Sequence, residues 1–457
     1  MKKLQKLLFA AGLMIVAASL MLTSCTKEGP QGATGPAGKD GTDGKDASET
    51  CKQCHSKAVV DAIAVEFQLS KHNWGIAAFE EAGNASCGPC HEQKAFVYVC
   101  ENSTPATFTF NETTKKWVND YSSNAANAIG AIGCFTCHSS LHTTYGMSDI
   151  ALTSIAPVPM TMWGGKQTID LPADGGSSNL CAKCHQPRPL TATNTYDPST
   201  RLINYDSLRE YPETVFYDTT AGVKNVNTRP SYRMHVHYGT VSAVYAGVGG
   251  IEFDGTRTYE NSPHTALASC SDCHQAQPMT GVAGGHAFNM RNAIESALSG
   301  STSWNFNGCN TADCHGAPGA TPLDANSDKF KGTRADVKTL LDELAAKINN
   351  TGGGADILHK ETASSNLWAG ITTNNYDGYL DIYDASANPN GYWRNPAGPN
   401  TAPNNTKPKF PRLLNVQVGA MINFQFCLRE YSLGIHNTLY VKALLKNSIE
   451  EMEKQNF

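Results

Sequence analysis

Six pairs of cysteines punctuate this sequence, and a histidine directly follows the second cysteine of every pair. Two residues separate the cysteines in five of the pairs, and four residues separate them in the last pair. We number these motifs 1 to 6 in chain order: Cys51–His55, Cys87–His91, Cys134–His138, Cys181–His185, Cys270–His274 and Cys309–His315. Closely paired thiols indicate attachment or ligation of a metal or cofactor, so the motifs restrict the fold more than any periodic pattern does.

The adjoining histidine indicates which chemistry the thiols perform. Two thiols at this spacing can reach two vinyl groups on one porphyrin edge and form thioethers, and the next residue then offers its imidazole to the iron. Zinc sites and thioredoxin-like pairs also use nearby cysteines, but neither requires a histidine at this position. Because only 14 of 457 residues are histidine, six chance matches and a simple disulfide framework are both excluded.

We therefore expect six covalently bound haem c groups, each with one iron. The predicted attachment residues are Cys51, Cys54, Cys87, Cys90, Cys134, Cys137, Cys181, Cys184, Cys270, Cys273, Cys309 and Cys314. The predicted first iron ligands are His55, His91, His138, His185, His274 and His315. No catalytic residue is predicted.

Eight further histidines can supply the second iron ligands, and six irons need six of them. We predict His72, His142, His237, His264, His286 and His436. His142 lies four residues after His138, too close to reach the same iron easily, so it is expected to serve a neighbouring haem. The choice between His235 and His237 stays open, and the context of His359 does not favour ligation.

The six motifs, and the segments around the candidate second ligands, resemble those of multihaem c-type cytochromes. Ser70-Lys71-His72 is similar to a distal-histidine segment of octahaem cytochromes, and Pro263-His264 and Gly284-Gly285-His286 resemble distal-ligand contexts. The segment that begins at His237 resembles a His-His-Gly-Pro segment with its second histidine and its proline replaced. The segment Gly434–Asn437 resembles a Gly-Val-His-Asn-Pro segment of octahaem oxidoreductases, and the wide spacing of motif 6 occurs in tetrahaem cytochromes.

The resemblance implies bis-histidine irons and electron transfer at the cell envelope or surface, to other redox proteins or to extracellular acceptors. The alternative is a multihaem reductase of nitrite, hydroxylamine or tetrathionate, which would keep one iron open to substrate. The implied fold is mainly α with extensive irregular loops, organised around closely packed haems, in a domain that spans residues 48–457. The net charge of −5 gives no indication of a nucleic-acid partner.

The N-terminus has the pattern of an export signal. Lys2, Lys3 and Lys6 precede an apolar run that is short for a membrane span. The run ends in Leu22-Thr23-Ser24-Cys25, which resembles a bacterial lipobox. We therefore predict a lipoprotein signal peptide over residues 1–24, lipidation of Cys25, and an outer-membrane lipoprotein on the periplasmic or cell-surface face.

A collagen-like tether is predicted between the lipid and the haem domain, over residues 25–47. Glycine recurs at every third position from Gly29 to Gly44. A flexible spacer and a trimerising stem both remain open, and the sequence gives no sign of filament formation.

Secondary structure is clear in only a few places. Apolar periodicity predicts helices over Thr333–Asn349, with a capping box formed by Thr333 and Asp336, and over Leu439–Lys454. The stretch from about 366 to 411 is predicted as a long surface loop. Cys100 and Cys427 remain after the other cysteines are assigned, as a disulfide or as two thiols.

Overall fold

The structure is a computed structural model that describes most of the chain beyond the tether. The described residues are 47–74, 87–102, 108–111, 116–119, 131–139, 141–144, 146, 149–190, 203–218, 234–279, 282–291, 303–350, 357–360, 372–373, 375–381 and 412–457. The signal peptide, Cys25 and the tether up to residue 46 lie outside them. The chain divides into two compact units, residues 1–53 and 54–457, and the described part of the first is helical.

Short helices dominate the described structure, and many of them carry a motif or a predicted ligand. In chain order the α-helices are α1 (Ala47–His55), α2 (Lys57–Gln68), α3 (Lys71–Trp74), α4 (Gly88–His91), α5 (Gln93–Glu101), α6 (Cys134–Cys137), α7 (Ser177–Ala182), α8 (Tyr205–Glu210), α9 (Val241–Ala246), α10 (His264–Leu267), α11 (Cys270–His274), α12 (Thr333–Asn349), α13 (Asn415–Leu428) and α14 (Thr438–Lys454). Among these helices, none is both long enough and apolar enough to cross a membrane.

The strands form four antiparallel ribbons of two strands each in the described residues. They are β1 (Phe108–Asn111) with β2 (Lys116–Asn119), β3 (Val158–Pro159) with β4 (Thr168–Ile169), β5 (Val215–Asp218) with β8 (Arg412–Leu414), and β6 (Leu358–Lys360) with β7 (Tyr376–Leu380). Isolated two-stranded ribbons are marginal on their own, so these ribbons depend on the helices and loops around them.

The three long C-terminal helices α12, α13 and α14 pack on one another and form the centre of an apolar core. All residues of α13 are buried, because apolar residues occur on every side of the helix and its few polar side chains are amides. Gly419 is needed at the contact with the loop beside it, because a Cβ atom there would lie 2.5 Å from the Phe253 ring. This core provides a rigid support for the C-terminal ligands.

Polar side chains of α13 fix the chain segment that carries His237. The Gln425 amide accepts from the Val236 amide at 3.1 Å and donates to the Met234 carbonyl at 2.9 Å. The Thr240 hydroxyl donates to the Phe426 carbonyl at 2.9 Å. These buried bonds hold the backbone on both sides of His237, since a buried polar group left without a partner is costly.

The helix predictions were confirmed in position, with two differences in detail. Helix α12 spans the predicted residues, and α14 begins one residue earlier than predicted. The capping box at Thr333 was wrong: Thr333 lies inside the helix, after Gly332 and a π-helical turn over Asp328–Gly332. The prediction of a surface loop over 366–411 was wrong in part, because β7 within it is buried along its whole length.

Candidate haem sites

The motif loops share one closing hydrogen bond. In motifs 2, 3 and 4, the histidine amide donates to the carbonyl of the first cysteine, at 3.1, 3.0 and 2.9 Å. Motif 6 keeps this bond, at 3.0 Å from His315 to Cys309, although its loop is two residues longer. Gly316 permits the wider loop, because a Cβ atom there would lie 2.1 Å from the Asn310 carbonyl oxygen. The wide motif therefore closes on its first cysteine as the standard ones do.

The motif thiols are free, and thiols of different motifs contact one another. All fourteen cysteines in the described residues, including Cys100 and Cys427, are free. The thiols of motifs 2 and 4, 4 and 5, and 5 and 6 interact in pairs that shift each other's pKa: Cys90 with Cys184, Cys181 with Cys270, and Cys273 with Cys309. These contacts place motif 4 between motifs 2 and 5, and motif 6 beyond motif 5.

Each motif histidine faces a different one of the six predicted second ligands. We number these histidine pairs by their motifs. The ring centroids are 5.9 Å apart in His55–His142, 6.3 Å in His91–His237, 6.4 Å in His138–His286, 6.0 Å in His185–His72, 6.2 Å in His274–His436 and 6.1 Å in His315–His264.

This spacing suits two imidazoles on opposite sides of one metal ion. A metal–imidazole bond is about 2.0–2.1 Å long, so two trans imidazoles place their ring centroids about 6 Å apart. Every pair lies close to that value. The interplanar angles fall into two classes: 31° and 20° in pairs 3 and 5, and 73° to 83° in the other four. The donor set of each site, two thiols and two imidazoles, fits haem c.

Hydrogen bonds at Nδ1 orient several of these rings. The partners are the carbonyls of Ile150 for His138 (3.0 Å), Asp149 for His142 (2.9 Å) and Phe288 for His274 (2.9 Å), and the carboxylate of Glu430 for His436 (2.6 Å). A ring whose Nδ1 is held in this way has its Nε2 atom left for a metal, and the hydrogen-bond partner fixes the tautomer.

Most of the pKa shifts favour the neutral imidazole, which is the form that binds metal. Burial, followed by the nearby histidines 72, 274, 436 and 91, lowers the pKa of His185 to about 3. Burial also lowers the pKa of the other shifted ligands: His72, His264, His274, His286 and His315. At His436 burial acts in the same direction, but the hydrogen bond and charge of Glu430 outweigh it and raise the pKa.

Phe288 connects three of the pairs. Its ring centroid lies 5.2 Å from His72 of pair 4 and 5.8 Å from His286 of pair 3, and its carbonyl accepts from His274 of pair 5. Its φ of 57° is in the left-handed region, which is rare for an aromatic residue and indicates a constrained turn. Pairs 3, 4 and 5 are therefore neighbours.

Pair 1 lies next to pair 3. His142 of pair 1 and His138 of pair 3 bond the carbonyls of two consecutive residues. Pair 1 thus adjoins pair 3, pairs 3, 4 and 5 meet at Phe288, pair 6 adjoins pair 5, and pair 2 adjoins pair 4.

The two remaining histidines have other contacts. The Nδ1 atom of His235 accepts from Arg429 at 2.7 Å, and the Nδ1 atom of His359 lies 2.7 Å from Asp377. His235 is as far from His237 as a paired ring would be, at 6.4 Å, so distance alone does not separate the two candidates. The structure nevertheless places His237 opposite His91 and His235 against Arg429.

Two charged residues at this site were not predicted from the sequence. Arg429 and Glu430 directly follow α13, are fully buried, and contact His235 and His436 respectively. No local signal in the sequence marks them, because charged residues at the end of a helix are usually exposed to solvent. In the described residues, no group of three or more histidine, cysteine or acidic side chains is arranged to hold a metal ion by direct ligation alone.

Comparison with family models, curated proteins and solved structures found no match to this chain.

Proposed function

We propose that this chain is a hexahaem c-type cytochrome that carries electrons at the cell envelope or surface. The observation that carries the proposal is the set of six histidine pairs, in which every motif histidine has its own partner. No histidine belongs to two of these pairs. A chance arrangement of spare histidines would not use each motif once.

The protein would hold each haem by covalent bonds and by two imidazoles. The two motif cysteines would form thioethers, and the paired histidines would occupy both axial positions. When bound in this way, a haem iron accepts and gives up one electron. The protein supplies the ligands, their orientation and the charge around them.

The contacts between pairs support a relay. Pairs 3, 4 and 5 meet at Phe288, and pairs 1, 2 and 6 adjoin pairs 3, 4 and 5 respectively. The ends of this arrangement are pairs 1, 2 and 6. Partner redox proteins or extracellular acceptors would therefore exchange electrons with the protein at these ends.

Closure of both axial positions favours a carrier over a reductase. A reductase of nitrite, hydroxylamine or tetrathionate would need one iron with an open position. Each of the six motif histidines already faces a second imidazole, so the geometry offers no such iron among the described sites.

Carbon monoxide binding tests this proposal. The reduced, haem-loaded protein should keep its absorption spectrum under carbon monoxide, because it has no open iron. His264→Ala should open one site, so that one haem in six binds the gas. His359→Gln is the matched control and should behave as the unmodified protein. Stoichiometric binding by the unmodified protein would overturn the carrier proposal and favour the reductase.

The proposal includes a lipid anchor at Cys25. The basis is the lipobox-like sequence after an apolar run, since these residues lie outside the described structure. The protein should fractionate with membranes, and Cys25→Ser should release it. Retention of the Cys25→Ser protein on membranes would contradict the anchor.

A further inference from the structure

We propose that Arg429 and Glu430 create a difference in reduction potential between the haem sites of pairs 5 and 2, with site 5 the more reducing. The inference rests on the proposed function, because it concerns haems held by these pairs. The two residues are adjacent in sequence, opposite in charge and fully buried. They contact different sites, so one short segment acts on two irons.

Glu430 places a negative charge at site 5. Its carboxylate accepts from the Nδ1 atom of His436 at 2.6 Å, from the Gly434 amide at 2.7 Å and from the Ser432 hydroxyl. Three donors favour the ionised carboxylate in a buried position. The charge of Glu430 also acts on Arg334, whose guanidinium lies over the rings of Trp304 and Phe330.

Arg429 places a positive charge beside site 2. Its guanidinium donates to the His237 carbonyl at 3.0 Å and to His235 Nδ1 at 2.7 Å. It lies between the rings of Tyr238 and Tyr379, at 4.8 and 4.9 Å from their centroids. It is positive over the whole working pH range, since an arginine stays protonated.

Arg429 is one of several charged side chains near site 2. Asp377 interacts with Arg429, but its carboxylate also pairs with His359 at 2.7 Å. Arg188 adds a second positive charge, which helps to lower the pKa of both Arg429 and Cys90 of motif 2. Charged side chains around site 2 include Arg429, Arg188 and Asp377, and also the fully buried Glu92, which directly follows His91 and accepts from the Lys94 and Ala95 amides. Of these, Arg429 is the one whose side chain donates to the His237 carbonyl.

These charges act strongly on the irons because water does not screen them. A carboxylate that accepts from a ligating histidine makes that imidazole a stronger donor, which stabilises ferric iron and lowers the potential. A buried cation near a site raises the potential, because it repels the ferric state, which carries one more positive charge than the ferrous state. An electron that moves from site 5 to site 2 oxidises the first iron and reduces the second, and no atom is transferred.

Pair 4 provides the path between the two sites. Its motif cysteines contact those of the others, Cys181 with Cys270 of motif 5 and Cys184 with Cys90 of motif 2. A potential step across this junction would direct electrons from the chain of pairs into the branch that ends at pair 2.

The interplanar angles make site 5 visible by electron paramagnetic resonance. Near-parallel imidazole planes give a rhombic low-spin signal, whereas near-perpendicular planes give a single large-g signal. Only pairs 3 and 5 among the six are near parallel, at 31° and 20°. A redox titration of the rhombic signals should therefore contain two components, and the one at lower potential should belong to site 5.

Glu430→Gln in the haem-loaded protein tests the negative charge. Glutamine keeps an acceptor for His436 but removes the charge, so one rhombic component should shift to higher potential. The matched control is Glu66→Gln: the Glu66 carboxylate lies 3.9 Å from the Nδ1 atom of His286 of pair 3, accepts from the His286 amide at 2.9 Å and is partly exposed to solvent. Its removal should shift the other rhombic component, and by less. Unchanged potentials in Glu430→Gln would overturn the inference.

Arg429→Gln should shift one large-g component to lower potential, and Arg429→Lys, which keeps the charge, should not. Equal shifts in both variants would show a packing effect and overturn the role of the charge at site 2. If Arg429→Gln does not fold, Arg188→Gln tests the same positive field, and an unchanged large-g potential there would count against it. Failure of the proposed function would look different: fewer than six haems or a high-spin iron in the unmodified protein.

Discussion

The imidazoles of His72 and His185 face each other with their ring centroids 6.0 Å apart, although His72 follows motif 1 and His185 ends motif 4. A ligand for one motif therefore comes from a segment that follows another motif. The same exchange occurs in pair 1, whose second histidine follows motif 3. Each such crossing ties two motifs together, so haem attachment and folding of the chain are expected to depend on each other.

Replacement of His72 by methionine tests the second ligands. A thioether ligand raises the potential of a haem relative to imidazole. The His72→Met protein should therefore have one site in six with a higher potential, and the other sites should change little. His359→Met is the control and should leave all the potentials in place, as measured by optical redox titration. An unchanged titration of His72→Met would show that His72 is not a ligand.

Motif 6 is predicted to hold a haem despite its spacing. Replacement of both Cys309 and Cys314 by alanine should remove one haem and leave five, because the thioethers are the covalent attachment. Cys100→Ala should keep six. Intact-protein mass spectrometry with a haemochrome assay measures the number directly. A double variant that still holds six haems would exclude motif 6 as an attachment site.

The two cysteines outside the motifs should differ in reactivity. Burial raises the pKa of Cys100 to about 11, and burial raises that of the fully buried Cys427 well above its ordinary value. Since the thiolate is the reactive form, alkylation of Cys100 should be slow at pH 8 and should rise with pH until about 11. Cys427 should react only after denaturation. A disulfide between them, seen as no alkylation even in denaturant, would contradict this arrangement.

The C-terminal helices should contribute strongly to stability. Leu444 is fully buried, so Leu444→Ala should lower the free energy of unfolding by about 2–5 kcal/mol through lost burial and a cavity. Leu439 lies on the same helix but is 40% exposed, so Leu439→Ala should change the free energy of unfolding by about 0.5 kcal/mol or less. Denaturant unfolding followed by circular dichroism measures both. Equal losses in the two variants would contradict the buried core.

The sequence was most informative where chemistry fixes the spacing of residues. The motifs identify themselves, and the six second-ligand candidates are the six histidines that the structure places opposite them. Helix α12 was predictable for a different reason, since its apolar residues recur with helical periodicity. The haem assignment itself remains a prediction.

Other features depend on contacts between distant residues and were not predictable. The sequence of α13 shows no apolar face with helical periodicity, because every side of the helix is buried. The buried charges Arg429 and Glu430 follow directly after it. The strand β7 lies in a polar stretch, yet it pairs with β6, contacts α13 and is buried along its whole length. The order of the pairs arises from tertiary contacts such as those of Phe288, which no local pattern encodes.

Quantitative electron paramagnetic resonance on the oxidised, haem-loaded protein tests most directly whether the six histidine pairs ligate six irons. We expect six low-spin ferric haems, two with rhombic signals from pairs 3 and 5 and four with large-g signals from the near-perpendicular pairs. A high-spin signal equal to one iron per chain would contradict it, because one of the six histidine pairs would then not ligate its iron.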